Sequence, residues 1–426
     1  MSSPTAVRAQ YEALPYPPRD PALELHELRR TWLDDLPMIN HYCFAGSETF
    51  RDGFRVLIAG GGTGDATIFL AEQLRESNAE IVHLDFSEAS IAIARRRAEK
   101  RGLNNIRWIH DSLLNLPNLD VGTFDYINCV GVLHHLPDPD LGLNALRTVL
   151  KARGAMGVMV YATYGRTGVY QMQALMRLVN GGEAIDHSEE IDRTRQILGC
   201  LPATNWFKRG ETLVSDHRES DAGLYDLLLH SQDRAYTVGQ LYAWLVDGHG
   251  FNIEFSDVDR GRSSYLPHLL MGSKPPAVLE GIRALPVRRQ HQIAEVFHGR
   301  VQTHSFYLTH SADCTAAYFD ADCIPFLCHE PVTGPELAEV FSRSNGRPFV
   351  LDHVYTGVSI SIDPGKFGPA ILRHIDGKNS FRKIFNLVRR NPAFRTLAPK
   401  DDVLFAEFQP IYEALNAMER MLLRKV

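Results

Sequence analysis

The stretch Val56-Leu57-Ile58-Ala59-Gly60-Gly61-Gly62-Thr63-Gly64-Asp65 sets Gly60, Gly62 and Gly64 at alternate positions directly after an apolar run, with Gly61 between them. Glycine lets a backbone pass close to a ligand, and a helix starting after such a turn aims its free amides at that ligand. The spacing is G-x-G-x-G. A dinucleotide fingerprint needs G-x-G-x-x-G, and Asp65 stands where its last glycine would be. Asp85 follows Gly64 by 21 residues in His83-Leu84-Asp85-Phe86-Ser87. A carboxylate at the carboxyl end of a parallel strand can accept both hydroxyl hydrogens of a ribose, while Ser87 is the better cap for the next helix. His110-Asp111-Ser112 offers a second carboxylate that can accept from an adenine amino group; capping a loop is its structural alternative. Asn128 to Leu136 forms a loop over the ligand's reactive end. Within it His134 and His135 stand where a general base would, although such a pair also serves to cap a helix or pack beneath a pocket. Nothing in the sequence ranks His217, His230, His304 or His310.

The elements that must hold these residues alternate as in a parallel α/β sheet. Strands are expected at Arg55 to Ala59, Glu80 to Leu84, Ile106 to His110, Phe124 to Val130 and Ala155 to Tyr161, with Lys151-Ala152-Arg153-Gly154 as a break before the last. Helices are expected at Ala66 to Leu74, Ala89 to Arg101 and Asp140 to Leu150. The second of these carries Ile91, Ala94 and Ala98 on one face and turns Arg95, Arg96 and Arg97 mainly outward, as a solvated face. The result is an α/β fold, a Rossmann-like doubly wound sheet over residues 51–165. Residues 1–50 form an N-terminal arm or lid with a proline-rich start. Residues 166–320 show helical periodicity without further βαβ units, and read as a mainly helical substrate or regulatory region. Residues 321–426 read as a small α+β, winged-helix-like module, with strands at Phe349 to Val354 and Gly357 to Ile362 and a last helix at Phe408 to Leu423.

Composition sets the outer bounds. The chain has 426 residues, 44% of them hydrophobic and 9% aromatic, enough for two or three cores. A net charge of −6 gives no global case for nucleic acid or an anionic membrane surface. No apolar run reaches membrane-span length and the first ten residues lack a signal-peptide core, so a cytoplasmic location is expected. The six cysteines are sparse and irregular, as reduced thiols are. Cys314, Cys323, Cys328 and His329 do not match zinc-ligand spacing, and no metal is expected.

Taken in order, V-L-x-x-G-x-G-T-G at 56–64, D-x-S at 85–87, D-S-L at 111–113, F-D at 124–125 and L-H-H-L at 133–136 resemble the class I S-adenosylmethionine-dependent methyltransferases over residues 54–163. The resemblance implies that Gly60, Gly62 and Gly64 run under the methionine and ribose, Asp85 holds the ribose hydroxyls and Phe86 lies against the adenine. It also implies that Asp111 meets the adenine amino group with Ser112 and Leu113 nearby, and that Val130 and Gly131 line the methionine chain. One departure stands out. Family members carry Asp or Glu at the position of Ile58, so here the methionine end must be held by backbone carbonyls, by Asp65 or by the N-terminal arm. Tyr11, Tyr16 and the phrase Leu228 to Val238 are loosely similar to bacterial methyltransferases with a middle regulatory domain and a C-terminal module. Tyr11 and Tyr16 are candidates for a lid that keeps water from the cofactor, with packing of the arm on the sheet as the alternative.

The expected activity is methyl transfer from S-adenosylmethionine to a nitrogen or oxygen acceptor, either a small molecule or a protein side chain. The partners are that acceptor and, in a homodimer, a second copy of the chain. An NAD(P)-linked oxidoreductase is disfavoured by Asp65 and Asp111. A cofactor-binding scaffold without turnover is kept open by Ile58.

Overall fold

The computed structural model describes residues 4–181, 185–256, 261–271, 276–329, 331–343, 347–353 and 358–425. Their contacts fall into two units: Met1–Asp34, Phe50–Leu241 and Gly299–Ser305 make the first, while Asp35–Thr49, Tyr242–His298 and Phe306–Val426 make the second.

The first unit is built on five parallel strands: β1 (Arg55–Ala59), β2 (Glu80–Asp85), β3 (Ile106–His110), β4 (Phe124–Val130) and β5 (Leu150–Ala162). Their order is β3-β2-β1-β4-β5. The chain winds outward from β1 to β3, then crosses back to β4, so a crevice opens at the carboxyl ends of β1 and β4, where such sheets bind ligands. Val56, Leu57, Ile58 and Ala59 of β1 are all buried, as expected for a central strand covered on both faces. Helices α1 (Pro4–Ala13), α2 (Leu36–Cys43), α3 (Asp65–Gln73), α4 (Glu88–Arg101), α5 (Pro139–Thr148) and α6 (Thr167–Asn180) follow in chain order, with α2 alone in the second unit. The Ser87 hydroxyl caps α4 by accepting from Ser90 N, and Gly102 ends it at φ 63°.

Three local expectations change. Residues 151–154 lie within β5 and are no break. The β4–β5 register shifts between Phe124 and Tyr126: Phe124 pairs with Leu150 and Tyr126 with Ala155, so residues 151–154 stand in a bulge opposite Asp125 while the strand continues. Arg97 points inward and is 1% exposed, because it stands one turn from Ala94 on the packed face and finds buried acids there. Strands also continue past Thr163. The short β6 (Ala235–Tyr236) runs parallel to β5, and Gln302 O accepts from Ala162 N at 2.9 Å where the first unit regains residues 299–305. Later strands are β7 (Asn252–Ser256) and β8 (Thr303–Thr309).

In the second unit Phe341, Phe381, Phe385, Phe405 and Phe408 centre one core. Phe349–His353 pairs antiparallel with Val358–Ile362, whereas Val354 and Gly357 of the expected strands lie outside the described residues. The last helix spans Asp401–Ala417. The chain turns at Glu419, φ 55°, and Leu422, expected on that helix, pairs instead with Phe326 in the strand Met421–Arg424. No helix among the described residues is long and apolar enough to cross a membrane.

Candidate functional site

The glycine loop closes on its own sheet. Gly60 N and Gly61 N both donate to Leu84 O, at 2.8 and 3.1 Å. Gly61 has no room for a side chain, since a Cβ would lie 2.3 Å from the buried His83 ring. Gly64 starts α3 at φ 99°, a conformation L side chains rarely adopt, and its Cα packs on Ala94. Asp85 ends β2 beneath this loop. Its Oδ2 accepts Gly62 N at 2.7 Å and its Oδ1 accepts Ser87 N at 2.8 Å, which ties carboxylate, loop and α4 together. Burial raises its pKa while those amides oppose the rise. Asp111 Oδ1 accepts from Ser112 N at 2.7 Å and Asn115 Nδ2 at 2.6 Å, and the Ser112 hydroxyl accepts from Leu114 N, so this stretch is a locally capped turn. Leu113 is buried beneath it. Val130 ends β4, and Gly131 follows at φ 79° with its amide on Met159 O. Gly60 to Gly64, Asp85, Phe86 and Gly131 thus gather at the crevice the topology opens.

An N-terminal strap, residues 11–24, lies along the loop. Tyr11 O accepts from the Ser87 hydroxyl at 3.2 Å, Pro17 O accepts from the Thr63 hydroxyl at 2.7 Å, and the Glu12 carboxylate accepts from Glu88 N and Ala89 N at the start of α4. Ion pairs fasten its far end. Arg19 and Arg97 both bind Asp65, and Arg97 and Arg101 both bind Glu24. Burial alone would raise the pKa of Asp65, but Arg19 and then Arg97 outweigh it and hold the carboxyl below its ordinary value. Asp65 is thereby committed to two arginines. Sequence reasoning offered it as one of three ways to hold the methionine end and missed these partners, which come from positions 32 and 46 residues away.

Beyond the carboxyl ends of β4 and β5 lies a buried polar cluster that the motifs did not disclose. His135 Nδ1 is 2.9 Å from Gln232 O, and its ring stacks on His230 with centroids 3.9 Å apart. Asp226, from the helix Asp221–Leu228, accepts the Tyr11 hydroxyl on Oδ1 at 2.8 Å and the Tyr161 hydroxyl on Oδ2 at 3.3 Å. The Arg166 guanidinium lies 3.5 Å from the Tyr161 ring centroid, and Asp233 Oδ2 is 3.9 Å from its Nη2. The Tyr16 hydroxyl donates to Asp216 at 3.2 Å. Burial, then Asp226, pushes Tyr11 and Tyr161 well above the usual phenol range. Burial lowers His135 against the pull of Asp226, and burial followed by His135 lowers His134. The two histidines therefore part ways. His134 is enclosed beside the Tyr161 ring, whereas His135 is oriented by Gln232 and has a ring nitrogen within 4.8 Å of the Asp226 carboxylate. Of the other cluster members, Tyr11, Tyr16, His230, Gln232 and Asp233 lay in stretches the sequence singled out, whereas Arg166, Asp216 and Asp226 did not.

His135, Asp226 and His230 offer ligand atoms within 4.8 Å of one another. The hydrogen bonds argue against a metal there. A carbonyl only accepts and an amide only donates, so Gln232 O fixes the hydrogen of His135 on Nδ1, and Gln232 N, 3.1 Å from His230 Nδ1, fixes that of His230 on Nε2. Neither nitrogen of His230 then offers a free lone pair, since Nδ1 accepts the Gln232 amide and Nε2 carries the hydrogen.

A parallel sheet with a glycine loop and an acid ending β2 is the architecture of a nucleoside-binding α/β protein. A family model described as a methyltransferase domain matches residues 57–156. An uncharacterized protein of Synechococcus sp. is 32% identical over 309 residues, 72% of each chain. The ubiquinone biosynthesis O-methyltransferase of Acinetobacter baumannii is 28% identical over 134 residues, 32% of this chain and 50% of its own length. Among solved structures, PKMT2 from Rickettsia typhi in complex with AdoHcy shares the fold, with a TM-score of 0.61 at 15% identity over 93% of this chain and 76% of that one. The chain belongs to the class I S-adenosylmethionine-dependent methyltransferases, and S-adenosylmethionine is its cofactor.

Proposed function

We propose that this methyltransferase acts on an amine, with His135 as the general base and Asp226 as the counter-charge for the incoming ammonium. S-adenosylmethionine, when bound, supplies a methyl group on a positively charged sulfur. We assign it to the crevice formed by Gly60, Gly61, Gly62, Gly64, Asp85, Phe86, Asp111, Ser112, Leu113, Val130 and Gly131, with Tyr11 roofing its acceptor side. The rest of the work falls to the chain: orienting the acceptor, excluding water and removing one proton.

One observation carries the reading. The Asp226 carboxylate sits beside Tyr11 and Tyr161, next to a histidine whose Nε2 lone pair is free. Aromatic rings and a buried carboxylate favour a cation. The same surroundings that raise the phenols of Tyr11 and Tyr161 would oppose ionisation of a hydroxyl acceptor. Burial lowers an amine's pKa and so favours its neutral, nucleophilic form, with His135 Nε2 as the acceptor for the proton it loses. An oxygen acceptor is the second reading, favoured by the name of the O-methyltransferase relatives, which match over half their length.

The test is methyl labelling of cell extract by purified enzyme, followed by hydrolysis of the product. N-methyl label that survives acid and alkali is expected. His135→Ala should lower kcat at least about 100-fold, the contribution of a positioned base. Label released by alkali as methanol, or recovered as an O-methyl ether, would refute the amine assignment.

A further inference from the structure

The peptide of Gln232 touches two histidines at once and gives them opposite tautomers. His135 keeps its hydrogen on Nδ1 and presents a bare Nε2, while His230, stacked upon it at 23°, keeps its hydrogen on Nε2. That hydrogen has a partner in reach, since Tyr11 Oη is 3.4 Å from His230 Nε2 and itself donates to Asp226 at 2.8 Å. The result is a directed chain, His230 to Tyr11 to Asp226, ending on a carboxylate with an oxygen within 4.8 Å of a ring nitrogen of His135.

We propose that His230 is a positioning residue for proton removal: its Nε2 hydrogen holds the Tyr11 hydroxyl on the Asp226 carboxylate, and its ring fixes the plane of His135. The proposal rests on His135 being the base. An Nε2–H donor at position 230 leaves Tyr11 Oη one acceptor lone pair used and its own hydrogen free for Asp226 alone. Tyr11 then counteracts the burial that raises Asp226. The titratable and charged groups around this point are Tyr11 and Tyr16 from the N-terminal segment, His134 and His135 after β4, Tyr161 and Arg166 at the end of β5, and Asp233 in the turn after Asp226 and His230. Arg166 opposes loss of the Asp226 charge along with Tyr11, so the chain shifts that ionisation without setting it alone.

Nitrogen-15 NMR of histidine-labelled protein reads the tautomers directly. His135 should carry its hydrogen on Nδ1 and His230 on Nε2. A pH profile of kcat/KM reads the function. His230→Phe keeps a ring to stack but has no donor, and Tyr11→Phe removes the relayed hydroxyl. Both should move the acid limb up by about one pH unit, a tenfold loss below it, and His230→Phe should leave the dissociation constant of S-adenosylhomocysteine unchanged in calorimetry. His230→Gln, which restores an N–H, should recover most of the loss. A wild-type His230 with its hydrogen on Nδ1, stoichiometric zinc binding at these rings, or a His230→Phe limb that stays in place would overturn the proposal. The stated tautomers together with full activity of His135→Ala would instead sink the base assignment, and with it the role of His230.

Discussion

Replacing Arg97 by methionine removes the hub of the strap's anchorage while keeping the length of the side chain. Arg97 Nε reaches Glu24 at 2.5 Å, and its Nη1 reaches Asp65 at 2.7 Å and Thr63 O at 2.8 Å. The side chains of Arg97 and Glu24 are only 2% and 4% exposed. Breaking a buried pair by removing one partner costs about 3–5 kcal/mol. Here both acids keep a second arginine, Glu24 through Arg101 at 2.6 Å and Asp65 through Arg19 at 2.5 Å, so the lower end applies. We expect a loss of about 3 kcal/mol, of which the freed Thr63 carbonyl accounts for about 1. Because Thr63 and Asp65 belong to the glycine loop, S-adenosylhomocysteine should bind at least fivefold more weakly. Guanidinium unfolding followed by tryptophan fluorescence, with calorimetry for the ligand, reads both effects. Arg96→Met on the exposed side of α4 is the control and should stay within about 0.5 kcal/mol of wild type. If Arg97→Met matched Arg96→Met in both measurements, the ion network would be no anchor and the reasoning would fail.

Two further outcomes follow from the same geometry. Asp85→Ala should weaken S-adenosylmethionine binding at least tenfold, since it removes a ribose acceptor and the tie between Gly62 and α4; unchanged affinity by calorimetry would refute the assignment. His83 in the first unit and His41 in the second are each pushed down to about 3 by burial. Both stay neutral in the fold, while the unfolded chain takes up their protons below the ordinary value of about 6.5. Stability from each is therefore complete above that value and falls as the pH drops toward 3, by about 1.4 kcal/mol per pH unit. Unfolding midpoints at pH 7 and pH 5 should differ accordingly, and a first unit whose slope is the same in His83→Gln as in wild type would count against it.

The sheet was legible because each of its strands is a short apolar run bounded by turn residues, and the first four strands coincide with their expected spans to within one residue. The start of β5 was not, since residues 151–154 are polar, bulge out of the register with β4 and leave no hydrophobic signature. Arg97 misled for a related reason. A charged residue on a packed face reads as solvated until its acids are found, and Glu24 lies 73 positions away. The cofactor crevice follows local motifs and could be read in order. The cluster proposed for the acceptor draws Tyr11, His135, Tyr161, Arg166, Asp226 and His230 from four stretches of the chain with no spacing rule, so only the fold assembles it. Of the two motif histidines, sequence could not tell the enclosed His134 from the oriented His135, because a backbone carbonyl at Gln232 makes the difference.

The first unit is not finished where its main run of sequence ends at Leu241; its last piece, Gly299–Ser305, arrives after a stretch that belongs to the second unit. During synthesis at about 5–20 residues per second, the stretch of about 140 residues from Ala162 to Gln302 takes roughly 7–28 s, and the far edge of β5 waits that long for it. An open strand edge is a template for mispairing in that interval. Folding of the catalytic unit is thus bound to translation of its neighbour, and a fragment stopped at Leu241 would carry every methyltransferase motif and still lack the segment that completes its sheet.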